Sequence, residues 1–294
     1  MLAFLSPWLV GFATLVVYPM AASAYYSFTH YDALAAPRWV GLANYRYMFG
    51  HDPVFWTAVR NTLWLVLVGV PVQLLFALGT AALLAGRRRG IGVYRTLVYL
   101  PSIVPPVAAA LAFAFLLDPG TGPVNHLLAG LHLPQPLWFY DPRWAKPGLV
   151  LLGLWGIGPT MLLLLSGWVR VPAELVELAE MEGATRWQRF RFVTLPSISP
   201  VLLFTAVIAT IGALQAFTQA YVASRATSTG TTLVGTPQNS TMFYAVWLYR
   251  KAFTDFDLGY ASAMAWLLFL VGVGFVAATL RVTRRWTGLS AGPR

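Results

Sequence analysis

Residues 171–200 read "VPAELVELAEMEGATRWQRFRFVTLPSISP". The stretch is charged and water-seeking, yet apolar runs flank it on both sides. It holds Glu174, Glu177, Glu180 and Glu182, four of the chain's 10 acidic residues, and Arg186 and Arg189 follow at once. Pro172 suits the first turn of a helix, where its missing N–H costs nothing. Glu174 and Glu177 then lie near the positive end of the helix dipole. Leu175, Leu178 and Ala179 recur at helical spacing and form one apolar stripe. Gly183 follows as a left-handed helix terminator. Thr185 is placed to cap a second short helix, with Trp187, Phe190 and Val193 as its apolar positions. Pro196 marks the approach to the next apolar run. The stretch reads as helix, glycine turn and helix at a surface.

The composition around it is that of a membrane protein. Of 294 residues, 58% are hydrophobic and 10% charged, against about 25% charged in a typical globular chain. Mean hydropathy is +0.65. The 12 Trp, 13 Tyr and 18 Phe suit interfacial aromatic belts. The absence of cysteine excludes a disulfide framework, Cys-ligated zinc and a thiol nucleophile. A helix needs about 20 apolar residues to cross the hydrocarbon core. Six segments qualify: 3–27, 61–85, 97–117, 148–169, 199–221 and 258–280, and none contains Asp, Glu, Lys, Arg or His. The expected fold is an all-α membrane protein, one transmembrane domain over 1–294, with the charged loop at 170–198.

Six spans place both termini on one side. The gaps on that side, 86–96, 170–198 and 281–294, carry Arg87, Arg88, Arg89, Arg95, Arg170, Arg186, Arg189, Arg191, Arg281, Arg284, Arg285 and Arg294. The other gaps, 28–60, 118–147 and 222–257, are longer and carry fewer basic residues, so the first set is expected in the cytoplasm. The net charge of +10 follows from this topology and does not indicate nucleic acid, because the basic residues are scattered over several loops. The first apolar run is too long for a signal-peptide core. Either the later charges set its orientation, or a longer natural start exists. Pro7, Pro19, Pro71, Pro101, Pro105, Pro106 and Pro159 interrupt the apolar runs. Membrane helices tolerate proline where neighbours satisfy the freed carbonyls, and broken helices also line cavities; "YLPSIVPPVAAALAF" is open to both readings.

The charged stretch is either an amphipathic loop resting on lipid headgroups or a docking element for a cytosolic partner. Four acids facing an anionic leaflet disfavour simple lipid anchoring. The stretch resembles the cytoplasmic loop of permease subunits of bacterial ATP-binding-cassette importers. There a Glu-Ala-Ala triplet is followed by Gly and later by Leu-Pro. Here the residues are Glu177-Leu178-Ala179, then Glu182-Gly183-Ala184, then Leu195-Pro196. Leu178 replaces the usual first Ala, and Glu182 stands where Asp is common. "FLSPWLVGFATLVVYPMAASAYYSFT", "VGLANYRYMFGHDPVFWTAVRNT", "YRTLVYLPSIVPPVAAALAFAFLLDPGTGPVN" and "LYRKAFTDFDLGYASAMAWLLFL" extend the resemblance over nearly the whole chain. They are similar to the sugar-permease branch, of the maltose or multiple-sugar type. The outer turn "STGTTLVGTPQNST" departs from the Gly-rich form common in that branch.

The resemblance implies a type I importer permease fold whose coupling helix docks on a nucleotide-binding subunit through Glu177, Leu178, Ala179, Glu182, Gly183, Ala184, Leu195 and Pro196. It implies a second homologous permease, two cytosolic ATP-binding subunits, an extracytoplasmic solute-binding protein and surrounding lipid as partners. ATP and Mg would sit on the ATPase, and this chain would hold no cofactor. Independently, the chain lacks Gly-x-x-x-x-Gly-Lys-Ser/Thr, so it does not bind ATP through that motif. It lacks His-Glu-x-x-His, and no ionisable residue lies in a span, which disfavours a membrane enzyme. The uncharged spans also disfavour an ion-coupled secondary transporter, although backbone carbonyls hold sodium in some. They suit a neutral polar solute. Trp155 and Thr160 in the fourth span and Gln215, Thr218 and Gln219 in the fifth are the expected substrate-path residues. Each is also open to the plainer reading of a helix–helix hydrogen bond or an interface anchor. Gln215 and Gln219, four apart, are expected on one helix face.

Overall fold

The structure is a computed structural model that describes residues 2–86, 89–226 and 234–287. Arg87, Arg88 and Arg294, and part of the 228–241 turn, lie outside the described residues. Among the described residues, four helices are long and apolar enough to cross a membrane: Leu5–Tyr26, Pro53–Leu84, Arg186–Leu214 and Leu258–Arg281. Two bent pairs complete six if each is taken as one span. Ile91–Ile103 meets Pro106–Leu116 at 97°, and Pro142–Trp155 meets Gly158–Val169 at 55°. Each expected apolar segment thus falls on helix, but the third and fourth are broken, and the fifth is displaced toward its N-terminus.

Proline accounts for much of this, in two ways. At Pro105–Pro106 the chain breaks. A residue before proline is pushed out of the α region, and Val104 (ψ 130°) and Pro105 (ψ 136°) are both extended. Elsewhere the helix widens and continues. Among the described residues three five-residue π turns occur, at Ala13–Val17, Leu65–Gly69 and Phe190–Thr194. Each is closed by the N–H of the residue just before a proline: Tyr18 to the Ala13 carbonyl, Val70 to Leu65 and Leu195 to Phe190. A proline ring collides with the carbonyl four residues earlier, and a π turn moves that carbonyl aside without ending the helix.

The packing divides the chain into two compact units, Met1–Val59 with Tyr244–Arg294, and Arg60–Phe243. In the first, Asp52 is the organising residue and only 3% exposed. Its Oδ1 accepts the N–H groups of Val54 (2.9 Å) and Phe55 (3.0 Å), capping the helix that starts at Pro53. Its Oδ2 accepts from Trp247 Nε1 (2.8 Å) and the Tyr260 hydroxyl (2.6 Å). Asp52→Ala leaves these donors orphaned and is expected to destabilise the protein by about 3 kcal/mol or more, since hydrogen bonds to a charged group contribute about 1.5–3 kcal/mol each. Asp52→Asn keeps an acceptor and costs less. Thermal unfolding in detergent checks the order; equal stability of Asp52→Ala and the parent would rule out this role.

In the second unit Ala77, Ala81, Leu84, Met161, Leu164 and Ile198 belong to one buried cluster between Val70–Leu84, Gly158–Val169 and Leu195–Leu214. In lipid, close packing rather than water exclusion holds helices together, and small residues permit it. At Gly158 a Cβ would lie 2.7 Å from the Cα of Tyr99. Only glycine lets the start of Gly158–Val169 meet that backbone.

Candidate functional site

The charged loop folds as a helix, Ala173–Met181, and a turn. Pro172 is its N-cap (φ −60°, ψ 128°), one position earlier than the first-turn place expected. Gly183 is left-handed, φ +77°. The Gly183 N–H bonds the Glu180 carbonyl (3.0 Å) and the Ala184 N–H the Ala179 carbonyl (2.9 Å). That pair of bonds is the Schellman motif, which satisfies carbonyls left over at a helix end. Thr185 caps the next helix in a capping box with Gln188: Thr185 N–H to Oε1 at 2.7 Å, and Gln188 N–H to Oγ1 at 3.3 Å. The Thr-x-x-Gln spacing carries that signal, and the sequence reading used only its first half. An ion pair between Arg189 and Glu180 closes the two helices on each other.

One expectation for this loop needs correction. The segment after Thr185 is not a separate short helix. Arg186–Arg189 runs through the π turn into Leu195–Leu214, because the widened turn accommodates Pro196. Of the expected apolar stripe, Leu175 is 47% and Leu178 50% exposed and Ala179 is half-buried; Met181 is 79% exposed, and no residue of that helix is buried. Ala179, Glu182, Gly183 and Ala184 line a pocket of about 340 Å³ with Gln188, Arg189, Phe192 and Val193. Leu195 packs against the buried cluster, and the neighbouring Phe190 stacks on Trp168 at 5.7 Å. Leu195 therefore roots the loop in the span, while Pro196, like Glu177 and Leu178, stands exposed.

A second cavity, of about 410 Å³, lies within the second unit. Its polar lining is Gln73, Thr160, Thr218 and Gln219; Phe217, Phe243, Gly153 and Gly212 are among the rest, and none of the lining residues is charged. Thr160, Thr218 and Gln219 were expected there. Trp155 and Gln215 are not among the lining residues. Trp155 ends its helix and turns to Phe113 (5.5 Å). Gln215 is the exposed C-cap of Leu195–Leu214 (φ −101°, ψ 13°), and a new helix, Thr218–Ala226, begins after it. Gln215 and Gln219 thus stand on different helices, and the shared face expected from their spacing does not exist. The break has no proline; it lets Thr218–Ala226 pack along Pro106–Leu116. Gln73 was missed, because one Gln in an apolar run carries no local signal.

Several hydroxyls elsewhere in the apolar helices bond back to a carbonyl one turn earlier, as Thr80 does to Phe76 (2.8 Å), Thr205 to Val201 (2.7 Å) and Thr279 to Phe275 (2.9 Å), while Thr210 does not. The side chains of Gln73, Thr160, Thr218 and Gln219 make no hydrogen bond among the described residues. Beyond the apolar helices, Asp118 accepts from the Thr121 and Gly120 N–H groups (2.8 and 3.0 Å) and from the hydroxyls of Thr121 and Tyr140. The Thr121 amide foremost holds its carboxyl below the usual range. No group of three or more His, Cys, Asp or Glu suited to a metal occurs among the described residues.

Broken apolar helices around an uncharged polar cavity, with a charged helical loop outside, define a solute-conducting membrane subunit. Residues 74–288 match the family described as the binding-protein-dependent transport system inner membrane component, and the chain belongs to that family. It is 40% identical to the probable ABC transporter permease protein YesP of Bacillus subtilis, over 95% of this chain and 88% of the relative. It is 33% identical to the lactose transport system permease protein LacF of Rhizobium radiobacter, over 75% of this chain and 73% of the relative. The fold matches a crystal structure of a bacterial ABC transporter that imports the acidic polysaccharide alginate, with a TM-score of 0.79 at 24% identity, covering 96% of this chain and 94% of that one. The chain is therefore a multi-pass inner-membrane permease subunit of a binding-protein-dependent ABC importer, with the type I fold, and not an enzyme.

Proposed function

We propose that this permease conducts a sugar or a closely related polar solute, through the cavity lined by Gln73, Thr160, Thr218 and Gln219. One observation carries the reading: four neutral polar side chains face one cavity with no hydrogen-bond partner of their own. Gln73, Thr160, Thr218 and Gln219 are half-buried, so their donors and acceptors stay open to the cavity, and a solute rich in hydroxyls satisfies both. Phe217 and Phe243 add apolar faces of the kind that bind sugar rings. The lactose relative supports the solute class. The test is accumulation of a panel of radiolabelled saccharides, lactose among them, by a strain lacking this gene. Loss of one saccharide, restored by the gene, is expected; unchanged uptake across neutral saccharides counts against the reading.

Around the path, the full importer pairs this chain with a second homologous permease, two cytosolic ATPase subunits that hold ATP and Mg, and an external solute-binding protein. The outward Leu175, Leu178 and Met181, with Glu177 beside them, form the surface that enters the ATPase. Their exposure supports this, since the chain itself leaves that helix uncovered. Both termini and this loop face the cytosol. A chain without cysteine gives a direct check. A membrane-impermeant thiol reagent on intact cells is expected to label His132→Cys and to spare Ser290→Cys. The opposite pattern inverts the topology.

A further inference from the structure

Gln73 stands on Val70–Leu84 and reaches across to Gly153, on Pro142–Trp155. A Cβ built on Gly153 would lie 3.2 Å from the Cδ of Gln73, and closer still to its Nε2. The carboxamide therefore rests on the bare backbone of residue 153. Both residues line the cavity. No hydrogen bond within the described residues orients this carboxamide, so the missing side chain at 153 decides where it lies.

We propose that Gln73 is a solute-contacting, specificity-determining residue of the translocation path, and that Gly153 is its positioning residue. A glutamine side chain offers two donors and a carbonyl acceptor, which matches a hydroxyl that both gives and accepts. The proposal rests on the cavity being the solute path.

The substitution that tests it is mild. An added methyl in Gly153→Ala meets only the far end of a flexible side chain, and alanine favours the helix. The importer therefore assembles, but the carboxamide is displaced. Uptake of radiolabelled lactose is measured, or of whichever saccharide the gene deletion abolishes, at matched amounts of assembled importer. Gly153→Ala and Gln73→Ala are each expected to lower uptake about tenfold, the size of one good hydrogen bond. The double variant is expected to transport no worse than Gln73→Ala alone. Gln73→Asn, shorter by one methylene, is expected to restore about threefold when placed in the Gly153→Ala background. A merely structural role for Gly153 gives no such rescue. A double variant lowered about a hundredfold makes the two residues independent and rejects the positioning role. Silent Gly153→Ala and Gln73→Ala beside a defective Gln219→Leu leave the solute path standing and remove Gln73 and Gly153 from it. If all three are silent, the path reading falls and this proposal falls with it.

Discussion

Gly183→Val is expected to lower uptake at least about tenfold and to release the ATPase subunits during purification. At φ +77° a β-branched residue carries strain of about 1–3 kcal/mol, and each 1.4 kcal/mol is about tenfold in an equilibrium. Beyond the adjoining residues, no heavy atom lies within 4 Å of the Cβ position at Gly183. The defect is therefore one of backbone conformation and not of crowding. Relieving it dismantles the paired bonds from Gly183 and Ala184 and re-aims the helix that carries Glu177 and Leu178. Asparagine tolerates the left-handed region, so Gly183→Asn is expected to keep both the ATPase and most of the uptake. Co-purification and uptake on the same preparations decide it. A fully coupled Gly183→Val importer would reduce this loop to a surface connector.

Gln219→Leu is expected to lower uptake about tenfold, while Gln215→Leu stays within about twofold of the parent; the larger figure again corresponds to one lost hydrogen bond. Spacing alone treats the two alike. The structure separates them, because the helix ends at Leu214 and restarts at Thr218. Only Gln219 faces the cavity. Uptake at matched levels of assembled complex is the measurement. Equal losses in both variants would mean that Gln215 also meets the solute and that the path is wider than this cavity.

Much of the architecture is legible in the sequence. Charge-free apolar runs specify spans because an unpaired charge in hydrocarbon is costly wherever the rest of the chain lies. Gly183 and Thr185 announced their turn and cap, because caps are made by neighbours in sequence. The Pro105–Pro106 pair left a tolerated kink and a break both open, and the extended Val104 and Pro105 decide for the break. These are local effects, and a local code carries them.

What remained depends on residues far apart in the chain. The Asp52 cluster joins positions 195 and 208 residues away. The bends of 97° and 55° follow from what the helix halves pack against, and Gly158 against the Tyr99 backbone is one such contact. Gln73 gains meaning only opposite Gly153, and Gln215 loses its place only because Thr218–Ala226 packs along Pro106–Leu116. Propensity, transfer energy and capping act over a few residues, so the apolar runs fit for lipid and the turn of the charged loop are written locally. The tertiary structure alone decided which polar side chains meet at one cavity, since that follows from helix breaks and close packing between distant segments.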